Sequence, residues 1–199
     1  MNIFYLDRDV QLAAQYHCDK HVVKMILESA QLLSTAHRYL DGEMQIRQRL
    51  VPGTLENPKY RKHKSWVLQD AREHVLYSAT HINHPSAIWC RENIQNYNWL
   101  YQLFHELCHE YTYRYGKVHA CAKLIDVLRS PPVNIKFGDF FAPTPAMPPE
   151  LKIVADNPQP GRKYDVLKSY HNYYNVSKRS FASWQGKVNS RPTPAWYTV

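Results

Sequence analysis

Six polar side chains, His17, His21, Lys24, Glu28, Gln31 and Thr35, recur three or four residues apart. At about 100° per helical residue they project in nearly one direction. Most other directions of the same stretch are apolar, carried by Leu12, Ala13, Val22, Met25, Ile26, Ala30, Leu32 and Leu33. A solvated face would be wider and richer in Lys and Glu, so a narrow polar stripe is either the wall of a cleft or a closed hydrogen-bond network. In a cleft, Glu28, His17 and His21 can move protons, and Lys24 can act as an amine nucleophile or an anion clamp.

A second constellation, His105-Glu106-Leu107-Cys108-His109, matches H-E-x-x-H. On a helix that spacing puts two imidazoles on one face, where they bind zinc while the glutamate acts as base. After Glu110 the next glutamate is Glu150, so a nearby third carboxylate ligand is lacking, as are the Gly and third His of the longer metalloprotease pattern. Cys108 and His109 with His119 and Cys121 form a different candidate, a structural zinc site, although its spacing departs from C-x-x-C.

Basic residues also alternate with aromatics, in Lys59-Tyr60-Arg61-Lys62-His63-Lys64-Ser65-Trp66 and again between Tyr170 and Trp184. Lys and Arg neutralise phosphates, and aromatic or guanidinium planes stack on unpaired or extruded bases. The competing interpretation is a solvated face whose aromatics point into the core.

The elements that must position these groups are mostly helical. After the short apolar opening Asn2 to Leu6, Asp7 or Asp9 can cap a helix running from Val10 to Tyr39 and ended by Asp41-Gly42. Residues 41 to 63 read as a loop, with helix around Glu43 to Arg49, and a helical pattern resumes from Ser65 to Ala79. Asn83-His84-Pro85 opens a long helix to Tyr115, with a break near Asn93 to Asn98 and Gly116 as its left-handed stop. A short helix is predicted over Val118 to Leu128 and a last one over Asp165 to Ser177. Eight of the thirteen prolines lie between Pro131 and Pro160. That composition predicts a covering loop outside sheet and helix alike. The expected architecture is mainly α: a single helical domain over 1–199, with the loop at 131–160 and a basic aromatic tail at 178–199.

The 199 residues suffice for one sizeable core, and 15 Tyr, 5 Trp and 6 Phe exclude a disordered chain. No apolar run approaches the roughly 20 residues of a membrane span, and the opening MNIFYLDRD carries acids where a secretion signal would carry bases, so a cytoplasmic protein is expected. The four cysteines have no paired spacing and read as free thiols. A net charge of +8 favours polyanionic partners, and residues 160 to 199 hold seven basic side chains against Asp165 alone.

Several of these segments, in their order along nearly the whole chain, resemble the phage and bacterial pyrimidine-dimer DNA glycosylases. They are Leu12-Ala13-Ala14-Gln15-Tyr16-His17, then Asn83-His84-Pro85-Ser86 leading a helix that ends Arg114-Tyr115-Gly116, then Arg191-Pro192 with Trp196-Tyr197. The stretch Cys18-Asp19-Lys20-His21-Val22-Val23-Lys24-Met25 is also similar to tailed-phage proteins, which would place the chain in a host cytoplasm. The resemblance implies a small all-helical repair enzyme that acts on duplex DNA without a cofactor. Its N-terminal amine attacks the anomeric carbon to form a Schiff base, assisted by a glutamate on the first helix. Here the expected glutamate position falls near Val23 or Lys24, and the nearest acid on the stripe is Glu28, one turn later. Because Asn2 is bulky, Met1 is expected to be retained, so the amine is that of Met1 or of Lys24. On this reading Met1, His17, His21, Lys24 and Glu28 are catalytic. Nucleic acid is contacted by Lys59, Tyr60, Arg61, Lys62, Lys64, His84, Arg114, Lys117, Lys178, Arg179 and Trp196. The rival readings are a non-catalytic phage nucleic-acid-binding protein and a metal-dependent hydrolase at His105 and His109.

Overall fold

The computed structural model describes residues 1–54, 57–159 and 161–198. Among them are six α-helices: α1 Val10–Tyr16, α2 Asp19–Asp41, α3 Pro85–Glu92, α4 Ile94–Tyr115, α5 Ile125–Leu128 and α6 Val166–Tyr173. Two antiparallel hairpins accompany them, β1 Glu43–Thr54 with β2 Asn57–Val67 and β3 Ile153–Gln159 with β4 Arg162–Asp165. The fold is therefore a mixed helix and hairpin architecture, which corrects the all-helical expectation.

One hydrophobic cluster holds the helices together. The opening Ile3, Phe4, Tyr5 and Leu6 is extended and buried in it, with Met25, Ile26, Leu32 and Leu33 of α2 and Leu100, Leu103, Phe104 and Leu107 of α4. Long α4 packs across α1, α2 and α3. Its entry and exit follow local rules: Asn93 Oδ1 accepts the Gln95 and Asn96 amides, and Gly116 closes the helix at φ 64°. His84 caps α3 in the same way through the Ser86 amide, with Pro85 in the first turn.

The single helix expected from Val10 to Tyr39 is broken at His17 and Cys18, which are extended. No Gly or Pro marks the break. Distant segments instead take the polar groups that continuation would have used: Arg114 donates to the Gln15 carbonyl at 2.7 Å, Trp184 to the Tyr16 carbonyl at 3.0 Å, and the Asp19 amide to the Ser183 carbonyl at 2.7 Å.

Residues 43–67, expected as a loop with helix and then helix from Ser65, form the first hairpin. Only a one-turn 3₁₀ segment, Ala71–His74, stands where the helix to Ala79 was predicted. Pairing with a partner strand overrode the weak helical preference of Glu43 to Arg49, and Pro52 sits where the register shifts between Val51 and Thr54. The proline-rich loop likewise contributes β3. Pro158 escapes the ladder because it lies in the irregular stretch between the paired Val154 and Gln159.

Candidate functional site

The chain's first residues lie against the middle of α2. The Asn2 amide donates to Glu28 Oε2 at 2.8 Å, and Lys24 Nζ stands 3.3 Å from Glu28 Oε1. Asn2 is itself fixed from three sides. Its Oδ1 accepts the Tyr170 hydroxyl at 2.5 Å and the Ile3 amide at 2.8 Å, and its Nδ2 donates to the Ala146 carbonyl at 2.9 Å. Burial pushes the Tyr170 phenol up, so it remains a proton donor at neutral pH. Met1 packs partly buried on the core, one residue before the amide that Glu28 accepts.

The loop before α3 completes this corner. Thr35 of α2 accepts the Thr80 amide at 3.2 Å and donates to the Thr80 carbonyl, fastening that loop to the helix. His81 follows with φ 49°, an uncommon conformation outside glycine, and Thr80 Oγ1 lies 2.7 Å from its Nδ1. The His84 amide bonds back to the His81 carbonyl. Burial holds His84 below the usual imidazole range, followed by the positive charge of the chain's amino terminus and by His81, while Glu28 opposes them. The amino terminus, His81 and Glu28 thus all act on the charge of His84. Asn2, Tyr170 and His81 carry no motif in the sequence, and Tyr170 meets Asn2 across 168 residues.

Of the expected stripe, Lys24, Glu28 and Gln31 stay on this side, Gln31 half-buried and Lys24 exposed. His17 and His21 do not. The break before α2 turns both into the aromatic core, where His17 Nδ1 meets the Ala13 carbonyl at 2.7 Å and His21 Nδ1 meets the Tyr174 hydroxyl at 2.5 Å. His21 also stacks on Phe4, with ring centroids 4.3 Å apart. Burial pulls His17 down to about 4 and His21 to about 3, so both are neutral at pH 7 and hold up the core rather than moving protons. His37, bonded to Tyr97, is lowered to about 4 for the same reason.

These three histidines make the fold acid-sensitive. Below pH 6.5 the unfolded chain binds protons that the folded chain refuses, so stability is complete above that value and declines as pH falls toward 4. Each histidine is expected to cost roughly 1 kcal/mol of stability at pH 5.5. Urea unfolding at pH 7.5 and 5.5 checks this, and equal midpoints would contradict it.

The first basic cluster lies on the β1–β2 ribbon, which meets α2 where Arg38 donates to the Trp66 carbonyl and Tyr39 lies beside the Trp66 ring. Tyr60, Arg61, Lys62, His63 and Lys64 are exposed, as are Ile46, Arg47 and Gln48 on the opposite strand; the Lys59 side chain lies outside the described residues. Arg47 stands opposite His63, Gln48 opposite Lys62 and Ile46 opposite Lys64, so positive groups occupy both faces of the ribbon. Opposing carboxylates within this stretch are lacking among the described residues. Such a ribbon fits a polyanion, and neutralising Arg61, Lys62 and Lys64 together is expected to flatten the log–log dependence of DNA affinity on salt by about 2 to 3. An unchanged slope would return the cluster to ordinary solvated surface.

The other expected contacts divide. Lys117 and Arg179 are exposed. Lys178 is half-buried, its ammonium 4.2 Å over the Tyr173 ring. Trp196 is stacked flat on His171 at 4.0 Å, so one face is already covered. Arg114 is fully buried: it donates to Glu110 at 2.6 Å, Asp19 at 2.9 Å and the Gln15 carbonyl, and Arg191 closes the other side of Glu110 at 2.9 Å. It is an internal brace out of reach of a phosphate, which corrects its assignment as a nucleic-acid contact.

The H-E-x-x-H segment lies on α4, with His105 and Glu106 half-buried and His109 exposed. Glu106 Oε1 is 3.3 Å from His105 Nδ1 and 4.0 Å from His109 Nδ1, and one ligand atom from each residue lies within 4.8 Å of the others. The carboxylate thus stands between the imidazoles as a third donor rather than apart from them as a base. The alternative zinc set does not assemble: Cys108 and Cys121 are buried, and His119 Nδ1 is taken by the Cys121 amide. No helix among the described residues is long and apolar enough to cross a membrane.

Compared with models of known protein families, with curated proteins and with solved structures, the chain matches none.

Proposed function

We propose that this protein is a DNA glycosylase with associated AP lyase activity, working through the amine of Met1. The observation that carries the reading is the 2.8 Å bond from the Asn2 amide to Glu28, which fastens the chain's first residues to a half-buried carboxylate. α-Amino groups hold their proton less tightly than lysine ammonium groups, and Lys24 is the exposed counter-ion of Glu28, so Met1 is the nucleophile. Its neutral nitrogen attacks C1′ of the target nucleotide, and the base departs with the electron pair of the glycosidic bond and takes a proton from water. The proton lost by the amine passes to O4′ as the C1′–O4′ bond breaks and the sugar opens to an iminium. Glu28 stabilises the positive charge that develops at C1′. Removal of a 2′ proton then expels the 3′ phosphate and cuts the strand. His84, which burial and the charge of the amino terminus keep from protonation, is the candidate base for that proton.

The basic ribbon and the exposed Lys117 and Arg179 provide the phosphate contacts that opening a duplex requires. Borohydride reduction of the full chain with abasic duplex tests the reading. A covalent adduct whose peptide map places the link on Met1 is expected, and no adduct leaves a non-catalytic DNA-binding protein. The His105, Glu106 and His109 cluster favours a second reading, metal-dependent hydrolysis. Full activity after dialysis against a chelator would exclude it.

A further inference from the structure

A cavity of about 500 Å³ lies between the end of α2, the last turn of α3 and the segment 134–138, lined by Leu40, Ile88, Arg91, Asn93, Lys136 and Phe137 among others. We propose that this cavity binds the phosphate of a nucleotide, with Arg91 as counter-ion and Phe137 as the platform for the base.

The first observation is a cation without a carboxylate partner among the described residues. Arg91 Nη1 is buried with no hydrogen-bond partner among the described residues. The guanidinium rests 4.1 Å over the Tyr39 ring, and the neighbouring groups that act on its charge are Tyr39 and Cys90, neither of them a carboxylate. Arg91 as a whole is half-buried and lines the cavity, so its charge is partly desolvated with no carboxylate to offset it, a cost that an incoming anion relieves. Lys136 adds a second positive charge to the lining, and Glu92, the one acid there among the described residues, is exposed.

The second observation is an aromatic ring held out by a rigid segment. Phe137 is 91% exposed although its backbone neighbours are firmly tied. The Val133 and Asn134 amides each donate to the Asp41 carboxylate at 3.0 Å, and the Lys136 carbonyl accepts the Ile94 amide at 2.9 Å. A Cβ at Gly138 would stand 2.9 Å from Asn93 Cβ, so the segment sits as close to α4 as a glycine permits. A preformed cavity with a fixed cation and a bare aromatic face suits a ligand that joins an oxyanion to a planar ring. Nucleic-acid bases stack on such rings with little regard to their identity.

Free mononucleotide and a nucleotide within a strand share this chemistry. Arg91 is two helical turns along α3 from His84, so a strand crossing the amine site could reach it. The proposal does not depend on the lyase reading, since neither Met1 nor Glu28 lines the cavity.

Calorimetric titration of the full chain at constant ionic strength tests it with thymidine monophosphate, inorganic phosphate, thymidine and an eight-nucleotide thymidylate strand. Stoichiometric binding of the monophosphate, at least tenfold weaker binding of thymidine, and a tenfold or greater loss in Arg91→Met are expected. Phe137→Ala, which alters only an exposed side chain, should weaken the monophosphate severalfold and leave inorganic phosphate unchanged. Binding of the strand but not the free monophosphate assigns the cavity to a phosphate within DNA. If none of the phosphate ligands binds, or if Arg91→Met and Lys136→Ala both bind as the parent does, the proposal is overturned. Unchanged circular dichroism of the Lys136 and Phe137 variants keeps the test valid should Arg91→Met unfold.

Discussion

Glu28→Gln is expected to slow formation of the borohydride-trapped adduct by roughly 10²- to 10⁴-fold while leaving the protein folded. Glutamine keeps the shape of the side chain and can still accept the Asn2 amide, so the N-terminal segment stays in place. The negative charge that stabilises the C1′ cation is lost. The partner left behind is Lys24, whose side chain is 67% exposed, so its ammonium is rehydrated rather than stranded. The stability change should therefore stay below about 1 kcal/mol, the range of surface ion pairs. Single-turnover trapping rates and urea midpoints measured on the same preparation decide the matter. A rate equal to that of the parent would remove Glu28 from the chemistry. A large fall in stability would make the Lys24 and Glu28 pair a structural network instead.

Arg114→Met should have the largest effect on stability of any single substitution considered, about 3–5 kcal/mol, because it breaks a buried ion pair by removing one partner. Glu110, 4% exposed, would keep Arg191, but Asp19 Oδ1 and the Gln15 carbonyl would lose the guanidinium at the junction of α1 and α2. The tail is tied to the same place: the Lys187 and Val188 amides donate to the Arg114 carbonyl, and the Gly186 amide donates to Asp19. Gly186 has φ 60°, and a Cβ there would meet the Asn189 carbonyl oxygen at 2.1 Å, so this turn cannot shift to compensate. Arg114→Lys should recover little, since a single ammonium cannot make the three diverging bonds of the guanidinium. Urea unfolding measures the loss. A variant of parental stability with a reduced salt dependence of DNA affinity would instead restore Arg114 as a phosphate contact.

The histidines show where one-dimensional reading stops. Periodicity placed His17, His21, Lys24 and Glu28 on one stripe because it assumed one unbroken helix. The break at Cys18 depends on bonds from Arg114, Ser183 and Trp184, all about a hundred or more residues away, and it sends the two histidines inward. The hairpins were missed for a similar reason. A strand of 43–54 is stabilised by its register with 57–67, and the helix-compatible residues Glu43 to Arg49 say nothing of that partner.

What the sequence determined by itself is what depends on near neighbours: the cap at Asp9, the helix entry at His84-Pro85, the break near Asn93, the left-handed stop at Gly116, the apolar face of α2, and the excess of positive charge in 59–64. These interactions span at most a few residues, so composition and spacing contain them. Only the tertiary structure decided that Asn2 meets Glu28 across 26 residues and Tyr170 across 168, that Arg114 is a brace, and that Arg91 lies in one cavity with Phe137 and no carboxylate partner among the described residues. Whether a charged side chain is solvated, paired or stranded is fixed by which distant groups surround it, and that depends on packing rather than on residue type.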